Sequence, residues 1–331
     1  MIARTIFFWL KNARYVALPQ SLFPAVLAVC MAWCFPDFSL LYALLAVVGV
    51  IFAHLGMNLF DDYFDYRNQK IGIRKELAEN NTLARIGKCD YLLSGEANTK
   101  QLFFVASLFL LFASIIGLII FIYRGTTILW IVLLGGFLGI FYSAKPFSFG
   151  YRGFGELLIG LMFGVLLMGG VFYAACGVYS PAVCLLSIAV GLLVTNILFT
   201  HSILDYHPDK QTGKKTLAVL IRSKKGMFAV SCLLNILPFL LVGYGMYVHY
   251  LSLGYVLVFL ALPLAIWLIY LMMAFFRTPQ RKFSPRFWMG SMENWEKISQ
   301  AGIDWFMIRW YLARNLTILF CLLAIVASFI L

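Results

Sequence analysis

The chain is 331 residues long, with 63% hydrophobic and only 12% charged residues. Soluble domains carry about 25% charged residues, so this composition excludes a soluble globular domain and indicates an integral membrane protein. The formal net charge of +12 is explained by membrane topology and anionic lipid headgroups, and it requires no nucleic-acid partner.

Apolar segments long enough to cross a bilayer recur along the chain. A spanning helix needs about 20 mostly apolar residues. The first such segment lacks the cleavage pattern of a signal peptide and is followed at once by another, so it counts as a span. The sequence thus predicts an all-α integral membrane protein, with residues 1–331 forming a single domain of nine transmembrane helices and cytoplasmic connecting loops. The predicted spans are residues 16–36, 40–61, 102–123, 127–144, 154–176, 180–203, 226–247, 252–275 and 308–330.

The basic residues predict the orientation of these spans. Of the 26 Lys and Arg residues, all but Arg124 lie at the amino end, in connections that follow even-numbered spans, or at the start of the last span. The positive-inside rule places these segments in the cytoplasm. We therefore expect a multi-pass protein of the cytoplasmic (inner) membrane, with its amino terminus in the cytoplasm and its carboxyl terminus outside.

The long segments outside the membrane, residues 62–101, 204–225 and 276–307, are then all cytoplasmic. Function is expected on that face. Residues 276–307 combine prolines, basic residues and three tryptophans, which is typical of an interfacial segment lying along the headgroups. A lid over the active site is the alternative.

Carboxylates occur in two clusters at the cytoplasmic ends of predicted spans 2 and 6. Asp61 and Asp65 are four residues apart, as are Asp205 and Asp209. Residues four apart share a helix face, so each pair can converge on one ion, whereas Asp62 is rotated by about 100° from Asp61. Carboxylate oxygens favour hard cations such as Mg²⁺, which completes its shell with water and phosphate oxygens.

Basic and hydroxyl side chains in the neighbouring loops extend this pattern. A diphosphate held by metal would also need positive charge from the protein, for which the candidates are Lys145, Arg152, Lys210, Lys214 and Lys215. The connection at 141–156, FYSAKPFSFGYRGFGE, adds hydroxyls from Tyr142, Ser143 and Tyr151. Each feature alone is typical of an ordinary loop or helix end. Two Asp pairs on one face of the membrane favour a metal-bound diphosphate.

These motifs resemble those of the UbiA superfamily of membrane prenyltransferases. The stretch NLFDDYFD at 58–65 resembles the first Asp-rich motif of the family, usually NDxxDxxxD. The run from Asp205 through Asp209 to GKKTLAV at 213–219 is similar to the second. Residues 142–156 and RIGKCDYLLSGEANTKQ at 85–101 resemble the 1,4-dihydroxy-2-naphthoate polyprenyltransferase branch. The resemblance covers residues 18–275.

The resemblance implies a nine-helix UbiA-type bundle with two Mg²⁺ ions that bind the diphosphate of a polyprenyl donor. Ionisation of the donor would give an allylic cation, which an aromatic acceptor attacks. By this resemblance Asp61 and Asp65 hold one ion, Asp205 and Asp209 hold the other, and Tyr142 lies near the cation. The residues expected to contact the substrates are Asn58, Asp62, Ser143, Lys145, Arg152, Lys214 and His201.

The acceptor stays open, because the motifs depart from the family pattern at Asp61, Gln69 and Leu204. The favoured hypothesis is Mg²⁺-dependent prenylation of a 1,4-dihydroxy-2-naphthoate-like quinone precursor, as in menaquinone biosynthesis. Alternatives are 4-hydroxybenzoate or a lipid glycerol as acceptor, a cation-coupled transporter, or a non-catalytic lipid-binding scaffold. Transporter sites lie near the bilayer midplane on broken helices, whereas these carboxylates lie at helix ends, which favours the enzyme. The sequence predicts neither the prenyl chain length nor the oligomeric state.

Overall fold

The computed structural model describes residues 2–67, 89–279 and 281–330, most of which are helical. In this described part, ten longer helices follow one another along the chain. They are α1 (Ile2–Asn12), α2 (Pro19–Ala32), α3 (Leu40–Arg67), α4 (Thr99–Arg124), α5 (Thr126–Ser143), α6 (Gly155–Cys176), α7 (Pro181–Leu204), α8 (Lys224–Tyr247), α9 (Leu253–Arg277) and α10 (Asp304–Ala327). Short helices lie at Asp90–Leu93, Tyr206–Gln211, Leu217–Ile221 and Trp295–Gln300.

Eight helices of the described part, α3 to α10, are long and apolar enough to cross a membrane. The all-α membrane fold is thus confirmed, and the predicted count of nine spans is close but not exactly matched in the described part. The predicted span at 16–36 becomes a 3₁₀ turn at Tyr15–Ala17 followed by α2, which has 14 residues. A helix of that length rises about 21 Å, less than the roughly 30 Å of a hydrocarbon core.

Helix α7 lies at the centre of the bundle. Its apolar window is 67% buried, the largest fraction among the candidate spans, and it packs against α6, α8 and α10. Glycines make the contact with α6 close: a Cβ on Gly164 of α6 would lie 2.5 Å from the Gly191 Cα of α7. Small residues spaced by four allow such an approach between membrane helices, and Gly160 and Gly164 have that spacing. This crossing fixes the ends of α6 and α7, which both reach the site.

The segment between α9 and α10 packs back onto α10. Asn315 Nδ2 donates hydrogen bonds to the carbonyls of Met289 at 2.9 Å and Ser291 at 3.0 Å. Arg314 Nη2 donates to the same Ser291 carbonyl at 3.1 Å. Met289 is fully buried. The segment is therefore anchored by its own contacts, and its position along the headgroups stays a prediction.

Gly290 is the residue on which this anchoring most depends. Its φ is +83°, and an added Cβ would lie 2.8 Å from Asn315 Nδ2. Gly302 has a similar φ of +68° but open space around a Cβ. We expect Gly290→Ala to lower the free energy of unfolding by about 2–4 kcal/mol, because it adds a clash and lost hydrogen bonds to backbone strain. Gly302→Ala carries the strain alone, about 1–2 kcal/mol. Unfolding in detergent measures both, and equal losses would contradict the role of Gly290.

Candidate active site

A cavity of about 850 Å³ lies among α3, α4, α5, α6 and the turn before α2. Its end near the carboxyl end of α3 is polar and is lined by Asp61, Asp65, Tyr151 and Lys214. Farther along, the walls are apolar side chains and glycines, including Ile120, Ile128, Gly135, Gly136 and Ala174. Ligand pockets of this size typically combine apolar walls with a few polar groups that orient the ligand. The shape suits an amphiphile with a polar head.

Asp61 and Asp65 both line the polar end of the cavity. The Ser143 hydroxyl at the end of α5 donates to Asp61 Oδ1 at 2.5 Å. The Tyr151 hydroxyl donates to Asp65 Oδ1. Burial and the Asp65 carboxylate raise the pKa of Tyr151 above its ordinary value, so the phenol stays protonated and keeps donating. The two acids spaced by four residues therefore share one face of α3, held by hydroxyls from the end of α5 and from the connection that follows it.

Asp62 lies away from the cavity, because one residue along a helix turns the side chain by about 100°. Its carboxylate pairs with Arg14 and accepts a hydrogen bond from the Tyr91 hydroxyl at 3.2 Å. Its side chain is only 3% exposed. Burial and the Asp62 carboxylate raise the pKa of Tyr91 above its ordinary value. Asp62, predicted as a substrate contact, therefore joins the amino-terminal segment to the Asp90–Leu93 helix in this structure.

Arg14 is a site residue that the sequence analysis did not single out. It lies between α1 and α2 with φ of 59°, and its Nη1 is 3.5 Å from Asp61 Oδ2. It also lines the cavity. Asn58 Nδ2 donates to the Ala13 carbonyl at 2.9 Å, which fixes this turn beside the first motif. In the sequence, Arg14 is a basic residue before an apolar segment, and the positive-inside rule alone explains such a residue.

The second motif lies behind the cavity surface. Asp205 and Asp209 are each 1% exposed, and neither lines the cavity. His201 Nδ1 is 3.7 Å from Asp205 Oδ2, and the Asp209 carbonyl accepts from the Lys214 amide at 2.9 Å. His201 and Lys214 do line the cavity. The predicted metal role of this pair thus stays a prediction, and its neighbours form the surface that a ligand would touch.

Glu156 is a buried carboxylate that lines the cavity near the second motif. Its Oε1 accepts hydrogen bonds from Ser202 Oγ at 2.5 Å and from the Leu217 amide at 3.0 Å. These bonds join the start of α6 to α7 and to the first residue of the Leu217–Ile221 helix. Glu156 thereby holds the segment that carries Lys214 against the cavity.

Among the remaining predicted contact residues, at the end of α5 and in the connection to α6, one lines the cavity and two do not. Tyr142 lines the cavity, and Gly150 packs so closely on its ring that an added Cβ would lie 2.9 Å away. Lys145 and Arg152 are exposed and do not line the cavity. Arg152 Nη2 donates instead to the Pro146 carbonyl at 2.6 Å. The diphosphate contacts expected of these two cations stay predictions.

The donor set of the first motif fits Mg²⁺. Asp61 and Asp65 present carboxylates to one cavity, and Mg²⁺ typically uses one or two protein carboxylates together with water and phosphate oxygens. Across residues 2–67, 89–279 and 281–330, no three His, Cys, Asp or Glu side chains form a metal-binding group. Asp61 and Asp65 would hold part of such a shell, with water and phosphate oxygens as the other ligands. Gln69, which departs from the family motif, lies outside the described residues.

A membrane-spanning helical bundle with carboxylates at one end of an apolar cavity defines a membrane protein whose cavity suits an amphiphilic ligand. The chain belongs to the UbiA prenyltransferase family, whose model matches residues 21–298, and it is therefore a prenyltransferase.

The individual relatives share low sequence identity with this chain. The chain is 26% identical over 249 residues to 1,4-dihydroxy-2-naphthoate octaprenyltransferase from Haemophilus influenzae, which covers 71% of this chain and 76% of that protein. A digeranylgeranylglyceryl phosphate synthase structure aligns with a TM-score of 0.63 at 18% identity, over 99% of this chain and 100% of that one. A UbiA homologue from Archaeoglobus fulgidus bound to DMAPP and Mg²⁺ aligns with a TM-score of 0.56 at 17% identity, over 98% and 99%. The structural likenesses establish a shared fold.

Proposed function

We propose that this prenyltransferase moves a polyprenyl group from polyprenyl diphosphate to a 1,4-dihydroxy-2-naphthoate-like aromatic acceptor and that it depends on Mg²⁺. The observation that carries the proposal is the cavity in which Asp61 and Asp65 face one end of an apolar path. The naphthoate prenyltransferase relative and the homologue bound to DMAPP and Mg²⁺ support it. The distribution of basic residues supports a cytoplasmic amino terminus and polar cavity end, in the cytoplasmic membrane.

The residues at the polar end have complementary roles in this proposal. Asp61 and Asp65 would hold Mg²⁺, which when bound neutralises charge on a leaving diphosphate. Ser143 and Tyr151 orient the two carboxylates through their hydroxyls. Lys214 lines the same end of the cavity and supplies further positive charge for phosphate oxygens. Its Nζ lies 5.7 Å from the centre of the Tyr151 ring, so it is close to the first motif.

The apolar walls serve the isoprenoid and the cation formed from it. Side chains of α3 to α6 line this part of the cavity, and Tyr142 lies nearer its polar end. A site closed to water protects a reactive carbocation from hydrolysis. The diphosphate would lie at the carboxylates, and the prenyl chain would lie along the apolar walls. In this proposal residues 1–331 form one domain.

A polar pair within the apolar region gives the acceptor a place to bind. Ser21 Oγ and His54 Nδ1 are 2.7 Å apart, both residues are buried, and both line the cavity. His54 precedes Asp61 by seven residues, which is about 10 Å along the helix. A hydroxyl or carboxylate on an aromatic ring could hydrogen-bond to this pair while the ring faces the donor carbon. This is the structural support for an aromatic acceptor.

Turnover by the purified full chain in lipid nanodiscs tests the proposal. With Mg²⁺ and a radiolabelled polyprenyl diphosphate, we expect diphosphate release and a prenylated product from 1,4-dihydroxy-2-naphthoate. Parallel reactions contain 4-hydroxybenzoate or a glycerol phosphate acceptor. A prenylated product from one of these two acceptors, with none from 1,4-dihydroxy-2-naphthoate, would overturn the acceptor assignment. Metal-dependent donor binding without turnover on any acceptor would overturn the proposed reaction.

Gly136 of α5 provides a test of where the prenyl chain lies. An added Cβ at Gly136 meets nothing within 4 Å, and the residue lines the cavity seven positions before Ser143, about 10 Å from the polar end. We expect Gly136→Leu to fill the cavity at this depth. It should lower kcat/KM for long polyprenyl donors by about tenfold or more relative to geranyl diphosphate, because burying a large side chain there displaces the ligand.

Gly169 of α6 is a matched control for this substitution. It also leaves open space around an added Cβ but does not line the cavity. Gly169→Leu should leave the ratio of long-donor to short-donor kcat/KM unchanged. The same ratio in Gly136→Leu and wild type would show that the prenyl chain takes another path.

A further inference from the structure

An exposed basic surface lies at the end of α9 and on the segment that joins α9 to α10. Arg277, Arg281, Lys282 and Arg286 are all exposed, and the sequence contains no acidic residue between positions 277 and 292. Phe287, which follows directly, is 97% exposed. We call these five residues the basic strap. None of them lines the cavity.

The strap is held in place on the bundle. The adjoining Met289 is fully buried, and its carbonyl accepts a hydrogen bond from Asn315 of α10. Phe283 lies under the Arg281 guanidinium, with 5.1 Å from Cζ to the ring centre. Such a cation–π contact restricts the arginine while leaving its donors available. The positive charges therefore form a surface of defined position.

A second guanidinium lies beneath this surface. Arg309 of α10 is fully buried, and its Cζ is 5.8 Å from the centre of the same Phe283 ring. Its Nε donates to the Leu271 carbonyl at 3.0 Å and its Nη1 donates to the Trp305 carbonyl. Its Nη2 has no hydrogen-bond partner among the described residues. A buried cation whose donors are incompletely satisfied is costly, and it adds to the positive potential at the strap.

Acidic groups nearby compensate only part of this charge. Asp304 Oδ2 lies 3.9 Å from Lys282 Nζ, so one carboxylate of α10 forms an ion pair with the strap. Glu293 and Glu296 belong to the residues that follow it. The strap thus presents net positive charge beside an exposed aromatic ring. This pairing is typical of protein surfaces at the headgroup level, where cations meet phosphates and aromatic rings reach the acyl boundary.

We propose that the basic strap binds the headgroup of an anionic phospholipid. The phosphate would contact Arg281 and Arg286, and Phe287 would pack against the lipid's apolar part. A soluble anion would use the guanidinium groups but would gain nothing from a fully exposed phenylalanine, which favours a lipid. The surface adjoins the site through α10, since Phe306 packs edge-on against His201 with ring centres 5.0 Å apart. The inference does not depend on the proposed acceptor or donor.

Native mass spectrometry of the full chain in detergent, with equal amounts of phosphatidylglycerol and phosphatidylcholine, tests this. We expect wild type to retain more phosphatidylglycerol than phosphatidylcholine. Arg281→Gln with Arg286→Gln should weaken phosphatidylglycerol binding about tenfold or more, and Phe287→Ala should also weaken it. The control Lys224→Gln with Lys225→Gln removes two exposed charges at the start of α8 and should bind like wild type.

Several results would overturn the proposal. Wild type could retain the two lipids equally, or both double variants could lose phosphatidylglycerol to the same extent, which would indicate general electrostatic attraction. Displacement of the lipid by excess inorganic phosphate would show that the strap binds a free anion. Native mass spectra also report whether each variant remains intact and monodisperse, and Phe287→Ala tests the lipid contact without any change of charge.

Discussion

Asp65→Asn should lower kcat/KM for prenyl transfer by about 10²–10³-fold, as removal of an important electrostatic group in an active site typically does. The substitution keeps the shape of the side chain and an oxygen that can accept from the Tyr151 hydroxyl, but it removes the negative charge facing the cavity. Insertion into the membrane should be unaffected. The half-saturating concentration of Mg²⁺ in the transfer assay should rise, which distinguishes loss of a metal ligand from general damage.

Asp90→Asn is the matched control for this change. Asp90 also lines the cavity, but it is exposed and lies outside the two Asp pairs. Its substitution should leave the Mg²⁺ dependence unchanged. Full activity in Asp65→Asn, or an equal shift of the Mg²⁺ dependence in both variants, would refute the role assigned to Asp65. The same assay on Asp205→Asn tests whether the second motif contributes despite its position behind the cavity surface.

Arg14→Gln should lower the free energy of unfolding by about 2–3 kcal/mol. Removing one member of a buried ion pair typically costs 3–5 kcal/mol, and the loss is smaller here because the Arg14 side chain is 37% exposed. Asp62, with a side chain only 3% exposed, would lose the Arg14 guanidinium and keep the hydrogen bond from the Tyr91 hydroxyl. Unfolding followed by circular dichroism in detergent measures the change.

A double-mutant cycle with Asp62→Asn isolates this pair. The variant with both substitutions should be more stable than the sum of the single effects predicts, by at least about 1 kcal/mol, because the attraction between Arg14 and Asp62 is lost only once. Arg67→Gln serves as a control, since Arg67 is exposed and donates to the Tyr63 hydroxyl on the same helix. Strict additivity of the Arg14 and Asp62 effects would contradict the structural role of the pair.

The fold was largely predictable because length and hydropathy identify spanning helices in a sequence. Residues 40–61 and 102–123, for example, fall inside α3 and α4. The shortening of the first predicted span was not predictable in this way. Its start is set by Arg14 in a left-handed conformation, and that turn is held by Asp62 and Asn58, more than 40 residues away.

The site was predictable where the chemistry is local and less so elsewhere. The four-residue spacing of Asp61 and Asp65 was enough to infer a shared helix face, and both line the cavity. The same spacing in Asp205 and Asp209 did not reveal which side of the helix end faces the ligand. That side depends on tertiary contacts, such as the hydrogen bond from the Leu217 amide to Glu156 of α6. Arg14 was missed because one arginine before an apolar segment has an ordinary topological explanation.

The contact between Arg14 and the first motif bears on how the metal-free protein should be handled. Arg14 acts as a built-in counter-ion, pairing with Asp62 and lying 3.5 Å from Asp61. Small zinc domains, in contrast, unfold when their metal is chelated. Because the charge of these two acids is already compensated by the chain itself, protein purified in EDTA should stay folded and monodisperse. Metal titrations can then start from a true apo state.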